Sequence, residues 1–198
     1  MGDDAAVDMS LLAEQVQHLL DREAIWDCVY RYARGLDRHD ADVFASAYHE
    51  DAIDRHGDFV GSRDAFVPWG LDLLASQWDT HTHYMTNNRV EIDGDVAHSE
   101  SDVLFAQRRR DGETLDLGGG RYIDRLERRD GTWRIAAREL VIDWTASADT
   151  AVYADVASYT TGRWDRDDLS YRRPFELELP SNPPTAEGAG AVTDGSGR

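Results

Sequence analysis

Residues 81–88 read HTHYMTNN. Two imidazoles stand two positions apart, and Val90 and Ile92 carry the pattern on towards a turn, so the stretch reads as a strand. On a strand, His81, His83, Met85 and Asn87 share one face. A buried imidazole that donates one N–H to a carboxylate keeps its other nitrogen free as a base. The carboxylate fixes the tautomer and stabilises the imidazolium that forms. Asp37, in YARGLDRHD, sits at the frayed end of a helical stretch, where a carboxylate can reach a cavity mouth. Tyr32 lies on the apolar stripe of that helix with Ile25, Val29 and Leu36, and should point inward. Arg138 alternates with Leu140 and Ile142 in a strand pattern; facing in, it would hold an enolate or a leaving group.

Each residue also has an ordinary structural use. Asp37 could cap a helix or be solvated, His83 could be a satisfied core imidazole, and Tyr32 could be core. Arg138 could pair with Glu139 or a strand neighbour. His81 is pocket wall or exposed strand end, and His56, in DRHGDF, is a candidate pocket residue. Asn87, Trp69 and Trp144 read as lining rather than chemistry. An H-x-H strand is also half a metal site. The Glu that a cupin would place four or five residues on is replaced by Thr86–Asn88, and Cys28 has no partner cysteine. No metal and no cofactor are expected. No G-x-S-x-G elbow occurs, so a serine triad lacks its nucleophile.

The elements that must position these residues follow from spacing. Leu12, Val16, Leu19 and Leu20, then Ile25, Val29, Tyr32 and Leu36, give helical periodicity over 10–38, with Ser10 and Asp21 as plausible caps of two helices or one bent one. Asp40 could cap a short helix through Tyr48. Ser62 could cap another to about Ser76, with Phe66, Leu73 and Leu74 inward and Pro68 making it irregular. DAIDRHGDFVG between them is a short strand and a turn. Asp-Gly then recurs at 93–94, 111–112 and 130–131. Each pair separates apolar-rich segments, which predicts hairpins and a meander of strands at 80–92, 96–109, 114–128 and 132–145. Long antiparallel strands curl, and Gly118–Gly120 predicts a bulge or bend in the third. The plan is α+β: a curled, mainly antiparallel sheet forming a cone, closed by the N-terminal helices.

The 198 residues carry 41% apolar and 10% aromatic side chains, one domain plus a tail. The expected division is a flexible 1–9, a domain over 10–148, an aromatic extension over 149–178 and a disordered, Pro/Gly-rich 179–198. The extension, with Tyr153, Tyr159, Trp164, Tyr171 and Phe175, should pack on the domain, as a lid, or on a neighbouring subunit. A net charge of −18 argues against nucleic acid and anionic membrane as partners. No apolar run is long enough to span a bilayer, and the acidic start MGDDAAVDMS lacks a signal-peptide layout. A lone Cys28 fits the cytoplasm. Every lysine is absent, which excludes Schiff-base chemistry on lysine.

Three stretches carry a family resemblance: EAIWDCVYRYARGLDRHDADVFASAYHEDAIDRHG at 23–57, THYMTNNRVEIDGDVAHSES at 82–101 and GGRYIDRLERRDGTWRIAARELVIDW at 119–144. The chain resembles the SnoaL-like branch of the nuclear transport factor two-like superfamily, whose fold is a cystatin-like α+β cone. That branch includes scytalone dehydratase, bile-acid 7α-dehydratase, hexachlorocyclohexane dehydrochlorinase, steroid isomerases and polyketide cyclases. The resemblance implies a catalytic Asp–His pair, which by motif position falls on Asp37 and His83. The bile-acid dehydratase tyrosine falls on Tyr32, and the dehydrochlorinase arginine on Arg138. The dehydrochlorinase has a basic residue where this chain has Tyr32, so its own substrate is not implied. Of a second strand histidine used by scytalone dehydratase, His98 is the downstream candidate. The expectation is a cofactor-free, dehydratase-type lyase on a small hydrophobic carbonyl-activated or cyclic substrate, in a homo-oligomer, with a trimer favoured over a dimer. An isomerase or cyclase using the same dyad, or a non-catalytic small-molecule binding module, are the alternatives.

Overall fold

The computed structural model describes residues 8–150 and 159–177. The expectations for residues 1–7, Tyr153 and the 179–198 tail lie outside these described residues. Helix α1 runs unbroken over Met9–Asp37. Its cap is Asp8, one turn-start earlier than Ser10, with the carboxylate accepting from the Ser10 and Leu11 amides. Asp21 does not divide the helix; its carboxylate is taken instead by the Arg128 guanidinium at 2.8 Å and the Trp133 indole at 2.9 Å. The two halves of the apolar stripe have different fates. Ile25, Val29, Tyr32 and Leu36 are buried, whereas Leu12, Val16, Leu19 and Leu20 are exposed.

The end of α1 is a Schellman motif. The Asp40 amide donates to the Gly35 carbonyl (2.8 Å) and the His39 amide to that of Leu36 (3.2 Å). Its left-handed residue is His39, at φ 51°, where a glycine is usual. Asp40 then caps α2, Ala41–Ser46. The two helices meet closely: a Cβ on Gly35 would lie 2.3 Å from the Phe44 nitrogen.

Strands β1 (Tyr48–His56) and β2 (Phe59–Ser62) form a hairpin, followed by α3, Arg63–Gln77. Ser62 precedes α3 but makes no side-chain cap bond, and Pro68 is accommodated within one continuous helix. The meander follows as expected, with β3 Trp78–Asp93, β4 Val96–Arg109, β5 Thr114–Arg129 and β6 Thr132–Asp149. Positive φ at both turn positions occurs only at Asp130–Gly131; at the other two turns only Gly94 and Gly112 adopt it. The six-stranded sheet has the order β2-β1-β6-β5-β4-β3. The β1–β6 pairing is parallel, the other ladders antiparallel.

Two register shifts matter for the site. One lies between Met85 and Asn88 of β3. The other lies between Gly119 and Gly120 of β5, opposite Trp144 and Ile142. Here the glycine run is a packing requirement. A Cβ at Gly118 would enter the Phe105 ring from one face, one at Gly119 the Trp144 ring from the other. The core between helices and sheet centres on Tyr32, Phe44, Tyr48, Phe66, Tyr122 and Ile135, all fully buried or nearly so. Among the described residues no helix is long and apolar enough to cross a membrane.

Of the aromatic extension, residues 159–177 pack on the domain. Asp40 receives the Tyr171 hydroxyl at 2.7 Å and Arg166 at 3.1 Å, and Arg34 stacks over the Tyr171 ring. Tyr159 and Phe175 remain exposed. Gly35→Ala is expected to lower stability by about 3 kcal/mol, because backbone rather than a flexible side chain occupies the space. Urea denaturation of the variant tests this, and an unchanged midpoint would mean the two helices can separate without penalty.

Candidate active site

The last turn of α1 delivers Asp37 to the outer edge of the sheet, because β3 is an edge strand with free amides. The Asp37 Oδ2 accepts the His83 backbone N–H at 2.9 Å. Its Oδ1 is within hydrogen-bond distance of two imidazoles, His83 Nδ1 at 2.7 Å and His81 Nδ1 at 3.1 Å. Burial alone would raise the Asp37 carboxyl. The hydrogen bonds from His81 and His83 outweigh it and hold the group at about 2. It is therefore a carboxylate, an acceptor only, and each imidazole must turn an Nδ1–H towards it. That leaves His83 Nε2 bare.

His83 lines a cavity of about 490 Å³ between the helices and the sheet. Its walls are mainly apolar, including Leu36, Phe66, Trp69, Phe105 and Leu140. The polar groups facing the same space are His56, Tyr32 and Tyr122, with Gln107, Arg109 and Asp116 at another part of the lining. Tyr32 donates its hydroxyl to that of Tyr122 at 3.1 Å, so the Tyr122 proton is left for another acceptor. Burial pushes both phenols above their ordinary value, and both are protonated at neutral pH. His56 is backed by a second buried carboxylate: its Nδ1 lies 3.5 Å from Asp54 Oδ1, while Tyr48 donates to Asp54 Oδ2 at 2.6 Å.

The expected residues divide clearly. His83, Tyr32, His56 and Trp69 line the cavity, and Asp37 stands directly behind His83. His81 is fully buried behind the wall rather than in it. Arg138 faces in but is not free to meet a substrate. Two of its nitrogens are held by Asp124 at 2.6 and 2.7 Å, both side chains are inaccessible, and its guanidinium lies between the Tyr32 and Tyr122 rings at 4.1 and 4.2 Å. Asn87 is turned out to Asp102, because the irregularity after Met85 reverses the alternation and places Asn88 inward on Ser99 and Ser101. The second irregularity likewise turns Trp144 outward, to cover Gly119. His98 is exposed.

Three participants were not anticipated. Tyr122 and Asp54 had a signal, alternation with Asp124 and Leu126 in one case and with Ala52 and His56 in the other. His39 had none, because a helix-end histidine in the left-handed region is not marked by any periodicity. Asp37, His81 and His83 are also the described residues whose ligand-type atoms cluster, within 4.8 Å.

Residues 17–139 match the profile of a family described as the SnoaL-like domain. The chain is 33% identical over 144 residues to terrestric acid biosynthesis cluster protein E of Penicillium crustosum, covering 68% of this chain and 90% of that protein. It is 28% identical over 125 residues to hexachlorocyclohexane dehydrochlorinase 1 of Sphingobium indicum, covering 61% and 80%. In three dimensions it is similar to a hexachlorocyclohexane dehydrochlorinase, LinA type 2, with TM-score 0.63, 23% identity and coverage of 68% and 93%. A protein of unknown function from Nostoc punctiforme, described as having a cystatin-like fold, gives TM-score 0.55 at 18% identity, covering 63% and 92%.

Two outcomes follow from this geometry. Asp124→Ala strands the Arg138 charge in the core and should cost about 3–5 kcal/mol, much of it regained when Arg138→Met is added; equal losses in the single and double variants by urea denaturation would contradict the ion-pair account. Burial, reinforced by His81, holds His39 down at about 4 against an ordinary 6.5. The unfolded chain therefore takes up that proton first, so the contribution of His39 is intact above pH 6.5 and is lost as pH falls towards 4. Denaturation midpoints should fall less steeply across that window in His39→Gly than in the wild type.

Proposed function

The chain belongs to the SnoaL-like family, and from that membership we propose that it is a cofactor-independent lyase acting by dehydratase-type elimination. The substrate class is a small hydrophobic, carbonyl-activated or cyclic molecule. The observation that carries this reading is the 2.7 Å contact between Asp37 and a histidine that lines an apolar cavity. His83 takes an acidic C–H proton on Nε2, and Asp37 stabilises the imidazolium. A positioned base of this kind contributes about 10²–10⁴ in rate. The Tyr122 hydroxyl, with Tyr32 behind it, hydrogen-bonds the activating carbonyl or the departing hydroxyl. Arg138 acts at one remove, by fixing the two phenol rings.

The relatedness to a dehydrochlorinase supports elimination as the reaction type, and Tyr32, where that enzyme has a basic residue, favours a different leaving group. The phenol pair favours a second reading, an isomerase or cyclase, because two hydroxyls can hold an enolate with no group leaving. A binding module without catalysis would use the bare imidazole nitrogen only as a hydrogen-bond acceptor for its ligand. The exposed apolar residues Leu12, Val16, Leu19 and Leu20 support self-association as part of the same reading.

The test is deuterium exchange from solvent into a panel of cyclic ketones and β-hydroxy ketones, read by mass spectrometry together with water loss. His83→Gln and Asp37→Asn should each slow exchange at least about 100-fold. Wild-type rates in both variants would place the base elsewhere, and no exchange with any ketone would favour the binding module.

A further inference from the structure

The hydrogen-bond chain does not stop at Asp37. His81 Nε2 lies 3.0 Å from His39 Nε2, so the sequence of contacts is His83–Asp37–His81–His39. His39 in turn stacks on Trp164, with ring centroids 4.0 Å apart and planes 17° from parallel, and Trp164 also lies 5.1 Å from the His81 ring. We propose that His39 and His81 are positioning residues, a two-imidazole brace in which His39 fixes the tautomer of His81 and so holds Asp37 behind the base, and that Trp164 of the 159–177 segment clamps this brace. The inference rests on the reading of His83 as the base.

The logic is one of donors and acceptors. Asp37 accepts only, so neutral His81 carries its proton on Nδ1 and its Nε2 must accept. A donor is needed there, and His39 Nε2–H is the group within reach. Without it, His81 would be free to move its proton to Nε2, and Asp37 would lose one of the two imidazole donors on Oδ1. The backbone supports a purpose for His39. It occupies a left-handed helix-end position where glycine is cheapest, and such outliers persist where the side chain is used. The charged groups around the brace are paired with one another: Arg38 with Asp168 at 3.8 Å, and Arg166 with Asp40 at 3.1 Å. Across the ladder, His81 faces neutral Gln107, and Tyr122 on β5 is protonated, so no other described charge competes for Asp37.

The same position provides a clean test. His39→Gly removes the imidazole and relaxes the helix end, so the fold is retained. Nitrogen-15 and carbon-13 NMR of the full chain, with histidine and aspartate labelled, reads the tautomers and the Asp37 carboxyl directly. In the wild type at pH 7, His81 should carry its proton on Nδ1 and show a coupling across an N–H···N bond to His39. In His39→Gly the His81 tautomers should mix, and the midpoint of the Asp37 titration should rise by about one unit from its low value. Trp164→Ala should move both in the same direction by less. A His81 protonated on both nitrogens, or the same tautomer and Asp37 midpoint in wild type and both variants, would overturn the brace. These readouts need no substrate, so a failure of the brace is separate from a failure of His83 in the exchange assay.

Discussion

One carboxylate joins the two halves of this molecule. Asp37 ends a 29-residue helix and meets an edge strand of the sheet, and three N–H groups of β3 converge on its two oxygens. The backbone bond to His83 does what a neighbouring strand would do for an unpaired edge amide. The two imidazole bonds turn that structural join into a chemical one, since they decide which nitrogen of His83 meets the cavity. The same contact therefore sets where the helix ends, how the strand edge is satisfied and which atom is basic.

Much of this was legible from residue types. The three Asp-Gly pairs gave the meander, and the helical stripe ending at Leu36 placed Tyr32 inward and Asp37 beside the cavity. What was hidden has a common cause: alternation holds only until a strand gains a residue. One irregularity after Met85 exchanges Asn87 for Asn88, and one beside Gly119 turns Trp144 outward. Arg138 shows a different limit. Its inward face was correctly read, but its partner depends on which strands lie beside β6. β5 brings Asp124 opposite it, and the parallel pairing of β1, which no local pattern announces, brings Asp54. The front half of α1 repeats the apolar spacing of the rear half with nothing in the described chain over it, because periodicity reports a face and not what covers it.

The floor of the cavity is polar in an unusual way. Arg138 and Asp124 are completely inaccessible, with Tyr32 and Tyr122 packed on the guanidinium. Apolar residues of similar volume would serve stability as well or better. What the ion pair adds is direction: a planar, doubly bonded guanidinium holds two phenol rings at defined angles, and the two hydroxyls then meet at 3.1 Å. His56 on the adjoining wall lies 3.5 Å from a second buried acid, Asp54, which itself does not line the cavity.

The contact between Gly118 and Phe105 has an evolutionary consequence. The tip of the ring that walls the cavity reaches the bare backbone of Gly118, where an added methyl group would collide with it. Cavity capacity and the glycine at position 118 are thus inherited as one trait. A lineage adapting to a bulkier molecule would gain room by shrinking residue 105, while position 118 stays glycine until that change has happened. Diversification at this wall is therefore ordered in time, with the aromatic position changing first and the backbone position free to follow.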